Sequence, residues 1–330
     1  MDLNFCHCMN SQQSKIILIS GIIIAAIIGL GVGLTVDGLS NADKIMTQSK
    51  SVDLNKITIA VMPNEDPKKF EMQGKALEEY FTKKLGIETE FFYPIDATTT
   101  VESLVTGSTH IAFMSARPAQ LAHERSDGKA MLFMAEMRPF TSEGGEKLDT
   151  FYFSEFWVKK DSGINTLEDA KGKNVAFSGP TSTSGYLFPL AKLVDKGLIK
   201  PGDDPKTYFS NVLYSGGYQQ SLNALIAGQV DIAAGGDHAK YRFLTPEEQN
   251  QIKVIEKQGP VPTHGIIYRT DLVSPSLLAT FEKAVLDMKS ERPDLLESAL
   301  FGAIDFVPVN HHAHLAELGN AIAKTKIPHI

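Results

Sequence analysis

Three consecutive hydroxyl side chains, Ser182, Thr183 and Ser184, are the residues of this sequence best suited to binding chemistry. They lie in the stretch S-G-P-T-S-T-S-G at 178–185, after a predicted strand ending at Phe177 and before a predicted helix. The first N–H groups of a helix have no intrahelical acceptor, and the positive end of the helix dipole lies beside them. Together with short hydroxyls, such groups bind a tetrahedral oxyanion. The segment therefore predicts an anion site.

A simpler interpretation is that one of these hydroxyls caps the helix, because Ser and Thr are preferred N-cap residues. One hydroxyl is sufficient for a cap, whereas Ser182, Thr183 and Ser184 follow one another directly before Gly185. The segment lacks the Gly-Lys-Ser/Thr ending of nucleotide phosphate loops. A serine hydrolase needs a base beside its nucleophile, but Ser184 has neither a Gly-x-Ser-x-Gly elbow nor a neighbouring His. We therefore predict a binding protein rather than an enzyme, without a cofactor.

From residue 56 onward, short β-branched runs alternate with longer amphipathic stretches, a pattern typical of α/β architecture. The predicted strands are Lys56–Val61, 87–93, Ile111–Met114, 130–136, Phe151–Lys159, Asn174–Phe177, 212–214, 232–234, 254–257 and 265–268. The predicted helices are 69–85, 98–106, 167–170, 186–197, 219–227, 275–289 and 312–324.

A helix, a capping glycine and a buried strand occur in this order twice, at 101–112 and at 221–233. The repetition indicates two similar lobes. We expect lobe 1 to comprise 56–150 and 268–330, and lobe 2 to comprise 159–260. The extended segments between these ranges are suited to act as hinges.

Open α/β sheets bind ligands at the carboxyl ends of their strands, which adds four candidates. Ser115 and Arg117 follow the strand Ile111–Met114, and Arg117 can offer a bidentate contact to an oxyanion or lie on the surface. Tyr218 and Asp237 occupy equivalent positions in lobe 2. Asp237 can accept a hydrogen bond from a protonated phosphoryl oxygen, or cap a helix.

The cluster at 310–314, Asn-His-His-Ala-His, suggests a metal site, because His311 and His314 can share a helix face. We interpret it instead as the solvated start of a helix. The only cysteines, Cys6 and Cys8, lack the second half of a zinc site. The sequence therefore predicts no metal centre.

Residues 16–36 contain no charged side chain and are long enough to cross a bilayer as a helix. The charges around them favour an N-terminus inside the cell, so we predict a short cytoplasmic segment at 1–15, a flexible tether at 37–55 and an extracytoplasmic body. The alternative is a cleaved signal ending at 40–42, which would leave a secreted or periplasmic protein.

The chain has 330 residues and carries 39 acidic against 32 basic side chains, a net charge of −7. The absence of a long basic run argues against nucleic acid as a partner. Apolar residues make up 43% of the chain, which is ample for a folded core, and we expect a monomer.

Four strings in the predicted lobe 2 resemble the phosphate/phosphite/phosphonate-binding proteins of ABC transporters. They are Lys159-Lys-Asp-Ser-Gly-Ile164, Thr166-Leu-Glu-Asp, Gly172-Lys-Asn-Val-Ala-Phe177 and Ser182-Thr-Ser-Gly-Tyr-Leu187. Further matches occur at Met62 to Lys69, Ile111-Ala-Phe, Leu121-Ala-His-Glu124 and Phe306-Val-Pro-Val309. The resemblance covers residues 56–320.

This resemblance implies the type 2 periplasmic-binding-protein fold, in which two lobes close about a hinge. It also implies an extracytoplasmic binding component that delivers a phosphorus oxyanion to an ABC permease, with the oxygens bound by Ser182, Thr183 and Ser184. Tyr218 and Gln219 stand where many members have a His and an acidic residue, which favours phosphate, phosphite or a simple alkylphosphonate over aminoethylphosphonate. The alternatives are another small ligand on the same fold, such as a sulfonate or a pyrimidine precursor, and an anchored sensor ectodomain.

Overall fold

The computed structural model describes residues 54–62, 67–142, 144–300 and 303–327. The predicted membrane segment at 16–36, the segment at 1–15 and most of the tether at 37–55 lie outside these ranges. Among the described residues, no helix combines the length and the apolar character needed to cross a bilayer.

The described chain contains two β-sheets with helices packed against them. The strands are β1 (Lys56–Val61), β2 (Glu88–Phe92), β3 (Ile111–Met114), β4 (Ala130–Ser142), β5 (Gly145–Asp149), β6 (Phe151–Lys159), β7 (Asn174–Phe177), β8 (Asn211–Tyr214), β9 (Ile232–Gly236), β10 (Ile252–Pro262), β11 (Gly265–Arg269) and β12 (Asp305–Pro308). The α-helices are α1 (Pro67–Leu85), α2 (Ala97–Thr106), α3 (Ala116–Arg125), α4 (Phe188–Asp195), α5 (Tyr218–Ile226), α6 (Ala239–Phe243), α7 (Pro246–Gln249), α8 (Pro275–Glu291), α9 (Pro293–Ala299), α10 (His311–His314) and α11 (Ala316–Thr325).

The larger sheet has seven strands in the order β12-β4-β11-β3-β1-β2, with β5 paired to the far end of β4. We call this sheet and its helices lobe 1. Its core is aromatic: the rings of Phe81 and Phe281 stack at 4.9 Å between centroids, and Phe113 and Phe306 meet edge to face at 5.7 Å. Each such buried ring contributes roughly 1.5–3 kcal/mol through removal of apolar surface from water.

The smaller sheet, with its helices, forms lobe 2 and has five strands in the order β10-β6-β9-β7-β8. The three strands β7, β8 and β9 are parallel, so their carboxyl ends lie at one edge of the sheet. Both faces are covered, because Phe156 packs on one side with Phe177 while Trp157 packs on the other with Leu222. Trp157 is completely buried.

The long strands β4, β6 and β10 carry the chain from one sheet to the other. At the crossing, the Thr263 hydroxyl lies 2.8 Å from the carbonyl of Glu136 and 2.9 Å from that of Thr150. The Glu136 carboxylate is 1% exposed and accepts hydrogen bonds from Arg138 Nη2 at 2.7 Å and from the His264 N–H at 3.2 Å. Burial lowers the pKa of His264 to about 4, although the Glu136 charge raises it. A buried polar network of this kind holds the two crossing segments together.

Helix α11 bridges the two lobes at the end of the chain. Lys324 pairs with Asp195 of α4 at 2.6 Å, and the Gly202 N–H donates to the Thr325 carbonyl at 2.8 Å. The side chain of Ile327 packs against the cores of both lobes. Helix α11 and the residues that follow it therefore contact lobe 2 as well as lobe 1.

The prediction of a solvated helix start at 310–314 is wrong for two of its histidines. His311 is 2% exposed, and its Nδ1 accepts a hydrogen bond from the Leu132 N–H at 3.0 Å. His314 is 4% exposed and packs its ring 4.8 Å from that of Phe151. The two rings are buried because α10 lies against lobe 1 at the start of β4, a contact between residues distant in sequence.

Candidate functional site

The predicted oxyanion loop joins β7 to the helix that follows, at the edge of lobe 2 where the parallel strands end. The helix begins with a π-helical turn, Thr183–Leu187, which continues directly into α4. The Leu187 N–H donates to the Ser182 carbonyl at 3.1 Å, which closes the first wide turn. Single π-turns are rare and are frequently found at functional sites.

Ser182 is the N-cap of this helix, since its side-chain oxygen accepts from the Gly185 N–H at 3.0 Å. The capping interpretation is therefore confirmed for one of the three hydroxyls. Accepting this bond leaves the Ser182 hydroxyl proton able to donate to a ligand. The other two hydroxyls, those of Thr183 and Ser184, are not needed for the cap.

Gly185 allows the loop to fold back on the helix start. The Ser178 N–H donates to the Gly185 carbonyl at 3.1 Å. A Cβ atom at position 185 would lie 2.2 Å from Ser178 Oγ and 2.8 Å from Ser182 Oγ. Only glycine fits there, because a side chain would push these two serines away.

Ser184 lies at the centre of a cluster of hydroxyl groups and is completely buried. Its Oγ is 3.0 Å from the Tyr152 hydroxyl and also makes a hydrogen bond with the Tyr218 hydroxyl. Its carbonyl accepts from Ser154 Oγ at 2.6 Å, and Ser154 in turn accepts from Gln258 Nε2 at 2.6 Å. Burial raises the pKa of Tyr152 well above its usual value, so this phenol keeps its proton and can act as a donor.

Thr183 and Ser178 complete the hydroxyl set, each being 7% exposed. The Ser178 Oγ is buried and has no hydrogen-bond partner among the described residues. Leaving a buried hydroxyl unpaired costs free energy, so its position beside Ser182 suggests a ligand-binding role. Ser178 belongs to the predicted loop but was not among the ligand-binding residues predicted from the sequence.

Asp237 follows β9 at the same edge of the sheet and is 4% exposed. One carboxylate oxygen lies 3.2 Å from Lys257 Nζ, and the other is 3.8 Å from His238 Nδ1. Burial by itself raises the pKa of Asp237, but the neighbouring His238 and Lys257 outweigh it and lower the pKa overall. The carboxylate is therefore ionised at neutral pH and acts as an acceptor. The side chain does not cap α6, so the alternative interpretation of Asp237 is wrong.

His238 connects Asp237 with the hydroxyl cluster. Its ring lies 5.3 Å from that of Tyr152, 6.0 Å from that of Tyr218 and 5.2 Å from that of Phe140, a residue of lobe 1. Burial lowers the pKa of His238, which keeps the imidazole neutral. Neither Tyr152 nor His238 was predicted from the sequence as part of the site. A signal for Tyr152 was present, since Tyr152 and Ser154 alternate on one face at the start of a strand.

Two buried carboxylates beside the site share the ammonium group of Lys257. Besides its contact with Asp237, Lys257 Nζ lies 3.6 Å from Glu155 Oε1. Glu155 is 6% exposed and also accepts a hydrogen bond from Trp157 Nε1 at 2.8 Å. Burial raises the pKa of Glu155, while Trp157, Lys240 and Lys257 lower it.

The two candidates from lobe 1 do not join the hydroxyl cluster. Arg117 Nη1 donates to the carbonyl of Pro180, and burial lowers the pKa of the guanidinium. The Ser115 hydroxyl lies 3.8 Å from the Met62 sulfur. The structure thus brings together Ser182, Thr183, Ser184, Tyr218 and, through His238, Asp237.

The two lobes are in contact at this loop. Leu187 and Phe188 belong to the helix of lobe 2 but pack with the hydrophobic core of lobe 1. The Arg117 hydrogen bond to the Pro180 carbonyl is a second contact between the lobes at this loop.

Comparison with known proteins relates the chain to transport components. Residues 59–314 match the family described as "ABC transporter, phosphonate, periplasmic substrate-binding protein". The phosphate-import protein PhnD of Mycolicibacterium smegmatis is 27% identical over 251 residues, which are 75% of this chain and 73% of that protein. The phosphonates-binding periplasmic protein of Escherichia coli is 27% identical over 222 residues, 66% of this chain and 61% of that protein.

The fold is shared with solved structures as well. PhnD1 from Prochlorococcus marinus, in complex with methylphosphonate, superposes with a TM-score of 0.64 at 14% identity. The likeness covers 82% of this chain and 98% of the Prochlorococcus protein. The predicted mixed α/β fold with two sheets is confirmed.

Proposed function

Since the chain belongs to the periplasmic substrate-binding proteins of ABC phosphonate transporters, we propose that it captures phosphate, phosphite or a simple phosphonate outside the cytoplasm and delivers it to an ABC permease. Members of this family are binding proteins rather than enzymes, as predicted. The names of the relatives support a phosphorus ligand, since one is a phosphate importer and another has methylphosphonate bound.

The observation that carries the proposal is the convergence of neutral donors around the start of the helix at Thr183. The hydroxyls of Ser178, Ser182 and Ser184 lie in one loop, and those of Tyr152 and Tyr218 contact Ser184. The first N–H groups of the helix add donors and a favourable dipole. Donors without formal charge suit a carrier, because the anion must be released again to the permease.

The form of the anion is proposed to be one that keeps a proton. Asp237 is ionised, and its Oδ1 is buried without a hydrogen-bond partner among the described residues. A P–OH group of hydrogen phosphate, phosphite or a phosphonate monoanion can donate to this oxygen. Sulfate has no proton at neutral pH, so the carboxylate would repel it.

The substituent on phosphorus is proposed to be uncharged. An aminoalkyl group would need a carboxylate without a cationic neighbour, but Asp237 and Glu155 both lie beside the ammonium group of Lys257. Lys240, 8% exposed, adds a second ammonium group that lowers the pKa of Glu155. The local charges are therefore balanced without a cationic ligand, which favours the simple anions predicted from the sequence.

We also propose that the protein is a monomer anchored in the cell membrane by residues 16–36, with the tether at 37–55 leading to the body. In this proposal lobe 1 comprises 56–150 and 268–330, lobe 2 comprises 159–260, and the two close on the ligand. The uncharged stretch of the N-terminal segment supports the anchor.

Calorimetric titration of the full chain tests the ligand class. We expect one site per chain for at least one of phosphate, phosphite and methylphosphonate, with at least tenfold weaker binding of 2-aminoethylphosphonate and of sulfate. Failure of all three simple phosphorus anions to bind would contradict the proposed function. Tighter binding of 2-aminoethylphosphonate would contradict the assigned role of Lys257.

Replacing Asp237 with Asn is expected to remove the discrimination between phosphorus and sulfur. The amide no longer repels a fully ionised anion, so the ratio of phosphate to sulfate affinity should fall at least tenfold in competition titrations. Asp231→Asn is the matched control, because Asp231 is an acid of the same lobe whose carboxylate accepts from the Asn174 N–H at 2.8 Å, away from the loop. If the ratio of phosphate to sulfate affinity were unchanged in Asp237→Asn, Asp237 would not accept a hydrogen bond from the P–OH group of the ligand.

A further inference from the structure

Three histidines converge in lobe 1, away from the oxyanion loop. His123 lies in the last turn of α3, and His311 and His312 are the first residues of α10. One ring nitrogen from each lies within 4.8 Å of the other two. His123 is about 10 Å along the helix axis from Ala116, the end of α3 nearer the ligand loop. The cluster is thus separate from the anion site.

The hydrogen bonds of two of these rings determine their tautomers. His123 Nδ1 lies 2.8 Å from the Ala130 carbonyl, which only accepts, so Nδ1 carries the proton and Nε2 has a free lone pair. An imidazole N–H donated to a backbone carbonyl is the usual arrangement behind a metal-ligating histidine. His311 is the opposite case. Its Nδ1 accepts from the Leu132 N–H, so its proton is on Nε2.

The Nε2–H of His311 is the second observation that points to a ligand. His311 is 2% exposed, and its Nε2 has no hydrogen-bond partner among the described residues. The ring centroid lies 4.1 Å from that of His123 and 5.0 Å from that of His312. A buried donor within the cluster requires an acceptor, which a metal-bound water supplies.

We propose that His123 Nε2 and a ring nitrogen of His312 bind one divalent transition-metal ion, and that His311 Nε2–H donates to a water on that ion. His311 is then a positioning residue rather than a ligand, because its only lone pair already accepts from the Leu132 N–H. The exposed side chain of His312 gives the ion a path from solvent.

The chemistry of the donors defines the class of ion. Imidazole nitrogens favour zinc, copper and nickel, whereas magnesium and calcium require oxygen ligands. Two protein ligands leave coordination positions for water, so the site would be open rather than closed. The sequence-based prediction of no metal site considered 310–314 and the two cysteines, but it did not place His123 beside His311 and His312.

The test is a titration of the full-length chain with zinc chloride. Cys6 and Cys8 are replaced with Ser in every sample, because free thiols near the N-terminus would compete for zinc. We expect one zinc per chain, with affinity reduced at least tenfold in His312→Ala and in His123→Ala. His312 is exposed, so its substitution keeps the test independent of folding. The affinity for methylphosphonate or phosphate is expected to stay unchanged in both variants.

Copper(II) provides a readout of the coordinating nitrogens. Electron paramagnetic resonance should show two nitrogen ligands in the parent protein and one in His312→Ala. Equal zinc binding by the parent and His312→Ala, or no zinc binding by the parent, would overturn the proposal. Three nitrogen ligands would overturn the role assigned to His311. None of these results depends on the anion that lobe closure captures.

Discussion

Replacing Ser184 with alanine is expected to weaken binding of the preferred phosphorus anion by about 10- to 100-fold, since a hydrogen bond to a charged group contributes about 1.5–3 kcal/mol. Ser184 Oγ is completely buried and contacts the hydroxyls of both Tyr152 and Tyr218. Its loss therefore removes one donor and frees two others from their common partner. The change is small in volume, so the fold is expected to persist.

Calorimetry with phosphate, phosphite and methylphosphonate measures this loss, and thermal unfolding followed by circular dichroism checks the fold. Ser162→Ala is the matched control, because Ser162 lies in the same lobe and donates to the Lys159 carbonyl at 2.7 Å on the surface. The control should bind as the parent does. If Ser184→Ala also bound every anion as tightly as the parent, the hydroxyl cluster would not be the binding site.

The oxyanion loop could be predicted because its signals are local. A buried strand, a glycine, three adjacent hydroxyls and a helix follow one another within a few residues, and the predicted limits of β7 are confirmed. The π-turn could not be predicted, since it depends on how Gly185 packs against Ser178 in three dimensions. The cap on Ser182 and the burial of Ser184 follow from that turn.

Contacts between residues far apart in the chain could not be predicted from the sequence. Tyr152 meets Ser184 across 32 residues, and this contact depends on β6 pairing with β9 beside β7. Leu132 and His311 are 179 residues apart, so nothing in the composition of 310–314 reveals that His311 is buried. The sequence of a polar helix start is the same whether its side chains are exposed to solvent or buried. Their burial depends on which strands the helix packs against, and therefore on the order of strands in the sheet.

The hydrogen-bond partner of Arg117 could not be predicted from the sequence either. Arg117 follows β3, at the carboxyl end of a strand where open α/β sheets bind ligands, and a guanidinium is the residue type expected to bind an oxyanion. In the structure Arg117 donates to the Pro180 carbonyl instead. Residue type and strand position predict the neighbourhood of a side chain, but its partner depends on how lobe 1 approaches the loop.

Two glycines of the oxyanion loop are expected to respond to alanine in opposite ways. At position 185 the new methyl group would lie 2.2 Å from Ser178 Oγ and 2.6 Å from Ser178 Cβ, so the backbone must shift. Such overpacking costs about 1–3 kcal/mol of unfolding free energy. At position 179 the methyl group would meet nothing within 4 Å, and the backbone is outside the left-handed region. Gly179→Ala is therefore expected to stabilise the protein by about 0.4–1 kcal/mol, by restricting the unfolded chain.

The same pair of variants separates the shape of the loop from its composition, because neither change removes a hydroxyl. Gly185→Ala should weaken binding of the preferred anion at least 100-fold, since Ser178 and Ser182 are displaced and the contacts of the Gly185 N–H and carbonyl are disturbed. Gly179→Ala should bind as the parent does. Calorimetry gives the affinities, and urea unfolding gives the free energies. If a folded Gly185→Ala variant bound the anion normally, binding would not require the serines in this arrangement. If Gly179→Ala lost binding, the outer part of the loop would contact the ligand.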